Sequence, residues 1–347
     1  MSDNSRTKGT VIVTGGAGFI GSHTVVELSN AGYRPVVVDN FCNSERFIID
    51  RLEEITGRSI RLHEVDCRNG EDMRSVLATE APVQGLIHFA ALKSVSESVE
   101  RPIAYYENNV GSILTVVDAM VNAKVEQLVF SSSCTVYGQP ETLPVTEESP
   151  LQPAESPYGR TKQICESLID DAIRANCPLR AATLRYFNPI GAHPSGLIGE
   201  LPRGVPDNLV PYITQAAAGL RGQMTVFGND YETTDGSCVR DYIHVVDLAR
   251  AHVSALDWLS RDARLPSNEV FNLGTGRGNS VFEAIQAFGN ATGRRLDYVV
   301  GDRRAGDIPA IYADARKAHD VLGWRADLSL EESMRDAWQW QRNLEKR

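Results

Sequence analysis

Predicted strands and helices alternate at short spacing through the first half of the chain. The predicted strands lie at 9–14, 34–38, 60–65, 85–89, 127–130 and 180–184. Predicted helices lie between and after them, at 23–31, 44–56, 70–79, 102–123 and 156–176. Strands that are apolar throughout are typical of a parallel sheet covered by helices on both faces. The pattern therefore predicts a doubly wound α/β fold, in which ligands bind beyond the carboxyl ends of the strands.

The pattern changes beyond residue 186. Residues 188–208 are rich in proline and glycine and are predicted to be a loop. Shorter elements follow, with strands at 224–227, 239–243, 270–273 and 296–300, and helices at 210–220, 246–259, 281–292, 315–322 and 330–344. We predict two domains, at 1–185 and 186–347, the second being a smaller α/β substrate-binding domain. Some of its strands are expected to interleave with the first domain.

The first predicted strand runs into a glycine-rich turn. Gly15, Gly18 and Gly21 precede a predicted helix, which lets the backbone approach a pyrophosphate at the helix N-terminus. Asp39 ends the second predicted strand, where an acidic side chain binds the ribose hydroxyls of a dinucleotide and repels a 2′-phosphate. The pattern predicts a Rossmann-type sheet that binds NAD rather than NADP.

A second candidate feature begins at Ser156. Ser156 and Pro157 are typical of a helix start, which places Tyr158 and Lys162 one turn apart on one face. A free tyrosine has a pKa of about 10, and a nearby cation and the positive end of a helix both favour its phenolate. The pair is a candidate proton acceptor. The same spacing occurs by chance in many helices, so this role requires a hydride acceptor and a substrate.

Composition narrows the function classes. The chain has 347 residues, of which 23% are charged and 42% hydrophobic, as expected for a globular protein of about two domains. Its net charge of −10 argues against nucleic-acid binding. We expect neither a membrane span nor a signal peptide. The six cysteines and seven histidines show no metal-ligand spacing, so we predict no metal, and reduced thiols in the cytoplasm.

Six longer motifs point to a family. They are VTGGAGFIGSH (13–23), HFAALKSVSES (88–98), FSSSCTVYG (130–138), PYGRTK (157–162), RYFNPIGAH (185–193) and VRDYIHVVDLA (239–249). In this combination the chain resembles the extended short-chain dehydrogenase/reductases, and within them the UDP-glucose 4-epimerases, over nearly its whole length.

The resemblance implies a reaction in which UDP-galactose and UDP-glucose are interconverted. Tyr158 would take the proton of the sugar O4 while NAD takes the hydride from C4. The 4-keto sugar would then rotate, and the hydride would return to its other face, so NAD stays tightly bound. Lys162 would hold the nicotinamide ribose and lower the pKa of the tyrosine. Ser133 would bind O4 and relay the proton.

The resemblance also implies contact residues. Cofactor contacts are expected at Gly15, Gly18, Phe19, Ile20, Gly21, Asp39, Asn40, Asn43, Ser44, Asp66, Cys67, Phe89, Ala90, Lys93, Asn108, Ser133, Tyr158, Lys162, Tyr186 and Phe187. Substrate contacts are expected at Lys93, Ser133, Tyr158, Phe187, Asn188, Asn208, Leu209, Phe227, Arg240, Tyr242, Arg304, Asp307 and Ile311. Among these, Asn188, Arg240 and Arg304 (in the 303–307 loop) would bind the diphosphate, and Asp307 the uridine ribose.

Related activities stay open at this point. Sugar-nucleotide dehydratases need an Asp-Glu pair where this chain has Cys134 and Thr135, so elimination is disfavoured. Epimerisation of UDP-N-acetylhexosamines or UDP-glucuronate is the alternative, and a non-catalytic NAD-binding regulator is a remote one. Ile311 is intermediate in size between the residues of narrow and broad members, which suggests some tolerance of N-acetylated sugars. The resemblance also implies a homodimer through a four-helix bundle built from 102–123 and 157–176.

Overall fold

The structure is a computed structural model that describes residues 7–261, 267–304 and 307–346. Its strands are β1 (Thr10–Thr14), β2 (Arg34–Val38), β3 (Arg61–His63), β4 (Val83–His88), β5 (Gln127–Ser133), β6 (Arg180–Tyr186), β7 (Asn188–Ile190), β8 (Met224–Phe227), β9 (Val239–Arg240), β10 (Tyr242–His244), β11 (Ser267–Leu273), β12 (Asn279–Ser280), β13 (Tyr298–Gly301) and β14 (Ala310–Ile311). Its helices are α1 (Phe19–Asn30), α2 (Phe47–Thr56), α3 (Gly70–Thr79), α4 (Val95–Glu100), α5 (Pro102–Tyr105), α6 (Gly111–Ala123), α7 (Pro157–Arg174), α8 (Leu209–Ala217), α9 (Val245–Arg261), α10 (Val281–Thr292) and α11 (Leu330–Leu344).

A seven-stranded sheet organises the molecule, in the order β11-β6-β5-β4-β1-β2-β3. Every neighbouring pair in it is parallel. The chain moves outward from β1 to β3 in one direction and from β4 to β6 in the other. The order therefore reverses between β1 and β4, which creates a crevice at their carboxyl ends. The prediction of a doubly wound, Rossmann-type fold is confirmed.

Both faces of this sheet are buried, which explains its apolar strands. Along β1, Val11 and Val13 belong to one hydrophobic cluster, whereas Ile12 between them belongs to the cluster on the opposite face. Val36 and Val37 of β2 divide between the two clusters in the same way. Because side chains alternate across a strand, each strand needs an apolar residue at every position to fill both layers.

The predicted helix at 102–123 is interrupted in the structure. It consists of α5, a π-helical segment at Tyr106–Val110 and α6, and it is preceded by the short helix α4, which the sequence did not predict. π-Helical segments that interrupt an α-helix are common at functional sites. Here the π-helical segment contains Asn108 and Asn109, of which the second is buried beside the loop that follows β4.

The second half of the chain differs in detail from the prediction. The predicted strand at 239–243 is two strands in different sheets, and the loop at 188–208 contains β7. The predicted helix at 315–322 ends in a π-helical turn at Ala318–Leu322. β11 pairs with β6 in the main sheet, so the second half contributes a strand to the first, and a boundary at 185 stays a prediction. Within the described ranges, no helix is long and apolar enough to cross a membrane.

Candidate active site

The first turn of α7 presents the two candidate catalytic side chains. Ser156 Oγ accepts a hydrogen bond from Gly159 N at 3.1 Å, and Pro157 occupies the first turn, as the sequence predicted. Lys162 follows Tyr158 by one turn and is only 3% exposed. Its Nζ lies 6.0 Å from the centre of the Tyr158 ring and donates to Ser131 O at 2.6 Å. Helix α7 therefore holds both side chains against the end of β5.

Ser133, the last residue of β5, is held in a defined orientation. Its Oγ accepts hydrogen bonds from Thr135 N at 3.2 Å and Thr135 Oγ1 at 3.0 Å. A hydroxyl has two acceptor lone pairs and one proton. Since Thr135 occupies both lone pairs, the proton of Ser133 is left to donate, and a hydrogen bond from Ser133 lowers the pKa of Tyr158.

The polypeptide alone does not favour the phenolate of Tyr158. Burial raises its pKa to about 12, although the Ser133 hydrogen bond acts in the opposite direction. Burial also lowers the pKa of Lys162 to about 8. The expectation that the lysine and the helix end together favour the phenolate is therefore not met by the polypeptide alone. A bound cation beside the phenol oxygen would lower this pKa.

The glycine loop after β1 is shaped for close approach. Gly15 has a φ of +70°, and a Cβ there would lie 2.8 Å from Ala90 N. A Cβ on Gly21 would lie 2.2 Å from Gly15 O. Gly18 is the N-cap residue of α1 and no side chain caps the helix, so the first N–H groups of α1 are available to an anion. These residues fit a dinucleotide pyrophosphate, with Phe19 and Ile20 in the same turn.

Asp39 anchors the loops beside this turn. One carboxylate oxygen accepts from Phe41 N at 2.9 Å and Ser44 Oγ at 2.8 Å, and the other from Ala17 N at 3.0 Å. A carboxylate has about four acceptor positions, so one position remains for a ribose hydroxyl. Asn40 and Asn43 are exposed beside it.

The remaining cofactor candidates line the ends of β3 and β4. Arg68 donates to both oxygens of Asp66, and this pairing lowers the pKa of the carboxyl. Cys67 is buried beside Asp66, and burial raises the pKa of its thiol to about 12. Asn108 donates to Asn109 Oδ1 at 3.0 Å. Phe89 and Ala90 follow β4, across the glycine loop from α1.

The candidate diphosphate residues lie partly together. Arg240 Nη2 is 3.7 Å from an oxygen of Asp307, and Arg240 Nη1 donates to Ile308 O at 2.7 Å. Asn188 N donates to Asp241 O at 2.9 Å, which places Asn188 beside the Arg240 strand. Arg304 is exposed on the neighbouring loop, of which Ala305 and Gly306 lie outside the described residues.

A carboxylate that the sequence did not single out joins two candidate substrate residues. Glu200 Oε1 accepts from Lys93 Nζ at 2.5 Å and from Asn208 Nδ2 at 2.6 Å. Sequence patterns gave little indication of this role, because Glu200 lies in the proline- and glycine-rich segment that was predicted only as a loop.

The apolar candidates are divided between two clusters. Phe187 and Ile311 pack together with Cys134, next to Ser133, which fits a sugar-binding wall. Tyr242 is 6% exposed and lies instead in a hydrophobic cluster formed by residues of the second half of the chain. Leu209 packs against that cluster. Tyr186 is buried and hydrogen bonds Ser131, whereas Phe227 is 49% exposed.

Within the described ranges, no three His, Cys, Asp or Glu side chains are grouped to hold a metal ion.

Known proteins resemble the chain over this whole arrangement. The model of the NAD dependent epimerase/dehydratase family matches residues 11–274. The chain belongs to this family. The UDP-glucose 4-epimerase of Bacillus subtilis (strain 168) is 50% identical over 331 residues, 95% of this chain and 96% of that protein. That of Dictyostelium discoideum is 49% identical over 331 residues, 95% of each chain.

Solved structures of family members have the same fold. The UDP-glucose-4-epimerase of Stenotrophomonas maltophila, with bound NAD and formylated UDP-arabinopyranose, gives a TM-score of 0.94 at 47% identity, covering 97% of this chain and 99% of that one. The UDP-glucose 4-epimerase of Bifidobacterium longum, in complex with NAD+ and UDP, gives 0.91 at 46% identity, covering 96% and 98%. The family resemblance inferred from the motifs is confirmed.

A buried polar network behind the catalytic turn escaped the sequence interpretation. Arg185 donates from Nε to Glu166 Oε1 at 3.0 Å and from Nη2 to Glu166 Oε2 at 2.6 Å. Ser132 also donates to Glu166, and Arg185 Nη1 donates to Tyr137 OH at 3.0 Å. Two signals were present: Arg185 directly follows the predicted strand at 180–184, and Glu166 lies one turn beyond Lys162. In this member of the family, the network joins α7 to β5 and β6.

Proposed function

We propose that the chain interconverts UDP-galactose and UDP-glucose, with NAD held through each turnover. One observation carries the proposal: Tyr158 and Lys162 at the start of α7 lie close to Ser133 at the end of β5. The glycine loop and Asp39 at the same edge of the sheet fit NAD. Bound NAD supplies the hydride acceptor and a positively charged nicotinamide ring. The relatives named UDP-glucose 4-epimerase support this choice of substrate.

The side chains of the site suggest how the proton moves. Tyr158 accepts the proton of the sugar O4 as the C4–H bond is broken, and returns it to O4 when C4 receives hydride on the other face. Ser133 donates a hydrogen bond that stabilises the phenolate before the first proton transfer and again after the second. Lys162 is placed to hold the nicotinamide ribose one turn away. General acid–base catalysis of this kind accounts for roughly 10²–10⁴ in rate.

Elimination is disfavoured by the residues beside Ser133. Cys134 and Thr135 occupy the positions that follow it, and Thr135 is committed to Ser133. Burial raises the pKa of the Cys134 thiol to about 12, so the thiol stays protonated and cannot accept a proton from the sugar C5. The site therefore oxidises and reduces one carbon without expelling water.

The activity is tested without added cofactor. Purified protein is incubated with UDP-galactose, and UDP-glucose is followed by proton NMR, with Ser133→Ala as a matched variant. The proposal expects UDP-glucose to form with no NAD added. Absence of product from UDP-galactose, together with conversion of UDP-glucuronate or UDP-GlcNAc, would replace it with the alternative substrate. Inactivity on all three of these UDP-sugars would favour the non-catalytic regulator.

The proposal includes a homodimer through a four-helix bundle. Four apolar side chains on α4 to α6 are exposed, namely Val95 at 46%, Val99 at 63%, Ile103 at 68% and Leu114 at 52%. These helices pack against α7, whose outer face carries an open groove that includes Ile164 and Leu168. Two copies that pair these faces would bury the apolar surface. Leu114→Arg is expected to give a monomer by sedimentation, whereas Val321→Arg, a change at an exposed valine elsewhere, is not.

A cytoplasmic location belongs to the same proposal. All six cysteines are free thiols, which fits a reducing compartment. Fractionation of the source cells, with an antibody against the protein, would test it; recovery with secreted proteins would contradict it.

A further inference from the structure

An arginine in the segment between β7 and α8 reaches the loop that follows β2. Arg203 Nη1 donates to Cys42 O at 2.5 Å, and Nη2 donates to Phe41 O at 3.2 Å and Ser44 O at 3.0 Å. Nη2 also lies 3.2 Å from a carboxylate oxygen of Glu45. One guanidinium therefore holds three carbonyls and a carboxylate of the 41–45 loop, and it does so from the other half of the chain.

The 41–45 loop is coupled directly to the candidate cofactor residues. Asp39 accepts hydrogen bonds from Phe41 N and Ser44 Oγ within this loop, and from Ala17 N in the glycine loop. Phe41 has a φ of 54°, a left-handed conformation that is unfavourable for a bulky side chain. The loop therefore depends on its tertiary contacts for its shape. A change in its position would move the carboxylate that is aimed at the ribose.

The same segment is fastened on the opposite side of the crevice. Glu200, three residues before Arg203, accepts from Lys93 in the loop that follows β4. The sheet order places β1 between β4 and β2. A segment that is tied to the loops after β4 and β2 therefore spans the end of β1, where the glycine loop begins. We call residues 200–208 the bridging segment.

We propose that Arg203 is a positioning residue that retains NAD by fastening the 41–45 loop to the bridging segment. This inference rests on the proposed NAD site. Opening the adenosine side of the crevice requires the Arg203 contacts to break first. An isolated exposed ion pair with Glu45 would add little, but three carbonyl contacts from one planar group depend on the guanidinium geometry, which a lysine cannot reproduce.

The test measures the rate at which NAD leaves the loaded protein. Protein saturated with NAD is diluted into an excess of an NAD-consuming dehydrogenase and its substrate, and the reduced nicotinamide that appears reports the release. We expect Arg203→Gln to release NAD about tenfold faster than the unmodified chain, with Arg203→Lys in between. Arg316→Gln is the matched control, because Arg316 is 84% exposed and pairs with Asp314 in its own turn.

Thermal unfolding of the NAD-free proteins separates retention from general stability. We expect the NAD-free midpoints of Arg203→Gln and Arg316→Gln to agree, and only the increase on adding NAD to be smaller in Arg203→Gln. A release rate for Arg203→Gln equal to that of the unmodified chain would overturn the inference, as would an NAD-free midpoint that falls enough to account for the faster release. If the unmodified chain holds no NAD at all, the proposed cofactor site fails and this inference fails with it.

Discussion

Lys162 and Glu166 lie one turn apart on α7, and both are buried, yet their surroundings differ. Glu166 receives two hydrogen bonds from Arg185 and one from Ser132. Burial by itself lowers the pKa of Arg185, but its contacts with Glu166 outweigh this and raise it. Lys162 donates to a neutral carbonyl, that of Ser131, and burial lowers its pKa to about 8.

The difference separates two tasks on one helix. The Glu166–Arg185 pair fixes the position of α7 against β5 and β6, and its charges compensate each other within the protein. At the catalytic turn, the hydroxyl of Tyr158 and the ammonium group of Lys162 are left to interact with bound molecules. The stabilising ion pair therefore lies one turn beyond Lys162. This arrangement keeps Tyr158 and Lys162 in place without neutralising the lysine.

The largest effect is expected from removing the phenol oxygen. Tyr158→Phe should lower the turnover of UDP-galactose by roughly 10²–10⁴, because the phenol oxygen is the group proposed to take the O4 proton. NAD content and the unfolding midpoint should stay close to those of the unmodified chain. Steady-state assays check the rate, and turnover within threefold of the unmodified chain would refute the role given to this hydroxyl.

Breaking the buried pair should affect stability rather than chemistry. Glu166→Gln leaves the Arg185 charge without its carboxylate, which costs about 3–5 kcal/mol in the free energy of unfolding. Chemical denaturation measures it. The control is Glu54→Gln, which removes the partner of Arg51 in a partly exposed helical pair and should change stability by less than about 0.5 kcal/mol. Equal effects of the two substitutions would contradict the contrast.

Lys162→Met should raise the free energy of unfolding, in contrast to Glu166→Gln, and the size of this increase should depend on pH. Burial lowers the pKa of Lys162 from the ordinary lysine value of 10.5 to about 8 in the folded protein. Below pH 8 both states are protonated, so the folded state bears the full penalty, about 3 kcal/mol. As the pH rises from 8 towards 10.5 the folded state loses its proton first, and the penalty decreases. Denaturation of the NAD-free proteins should show Lys162→Met gaining less stability, relative to the unmodified chain, at pH 9.5 than at pH 7. A pH-independent difference would show that Lys162 is not protonated at a cost in the folded state.

The smallest effect concerns the sugar-binding wall. Ile311 packs with Cys134 and Phe187, so its size limits the space beside Ser133. We expect slow turnover of UDP-GlcNAc at millimolar concentration, an increase of a few-fold in Ile311→Ala, and loss of this activity in Ile311→Tyr with UDP-galactose turnover retained. Background turnover in both the unmodified chain and Ile311→Ala would remove this prediction.

The fold and the reactive groups could be predicted because their signals are local. Apolar strands, the glycine spacing and the Ser-Pro start of α7 each act over a few residues, and the structure has them where the patterns indicated. Partners between distant segments could not be predicted in this way. Glu166 with Arg185 and Arg203 with the 41–45 loop are brought together only by tertiary packing, and their residue types are also common on exposed surfaces. The division of 239–243 into β9 and β10 has the same origin, since Asp241 accepts from Thr275 N and Ala313 N.

We expect the phenolate of Tyr158 to form more readily once a bound cation joins Ser133 and Lys162. The most direct measurement is the pH dependence of hydride transfer in a single turnover of the NAD-loaded protein with UDP-galactose, followed through the absorbance of reduced nicotinamide. Burial, partly offset by the Ser133 hydrogen bond, raises the pKa of Tyr158 to about 12, and a nearby positive charge lowers a pKa by about 1–3 units. We therefore predict an apparent pKa well below 12 that disappears in Tyr158→Phe. An apparent pKa that stays near 12, or the same profile in Tyr158→Phe, would contradict the account.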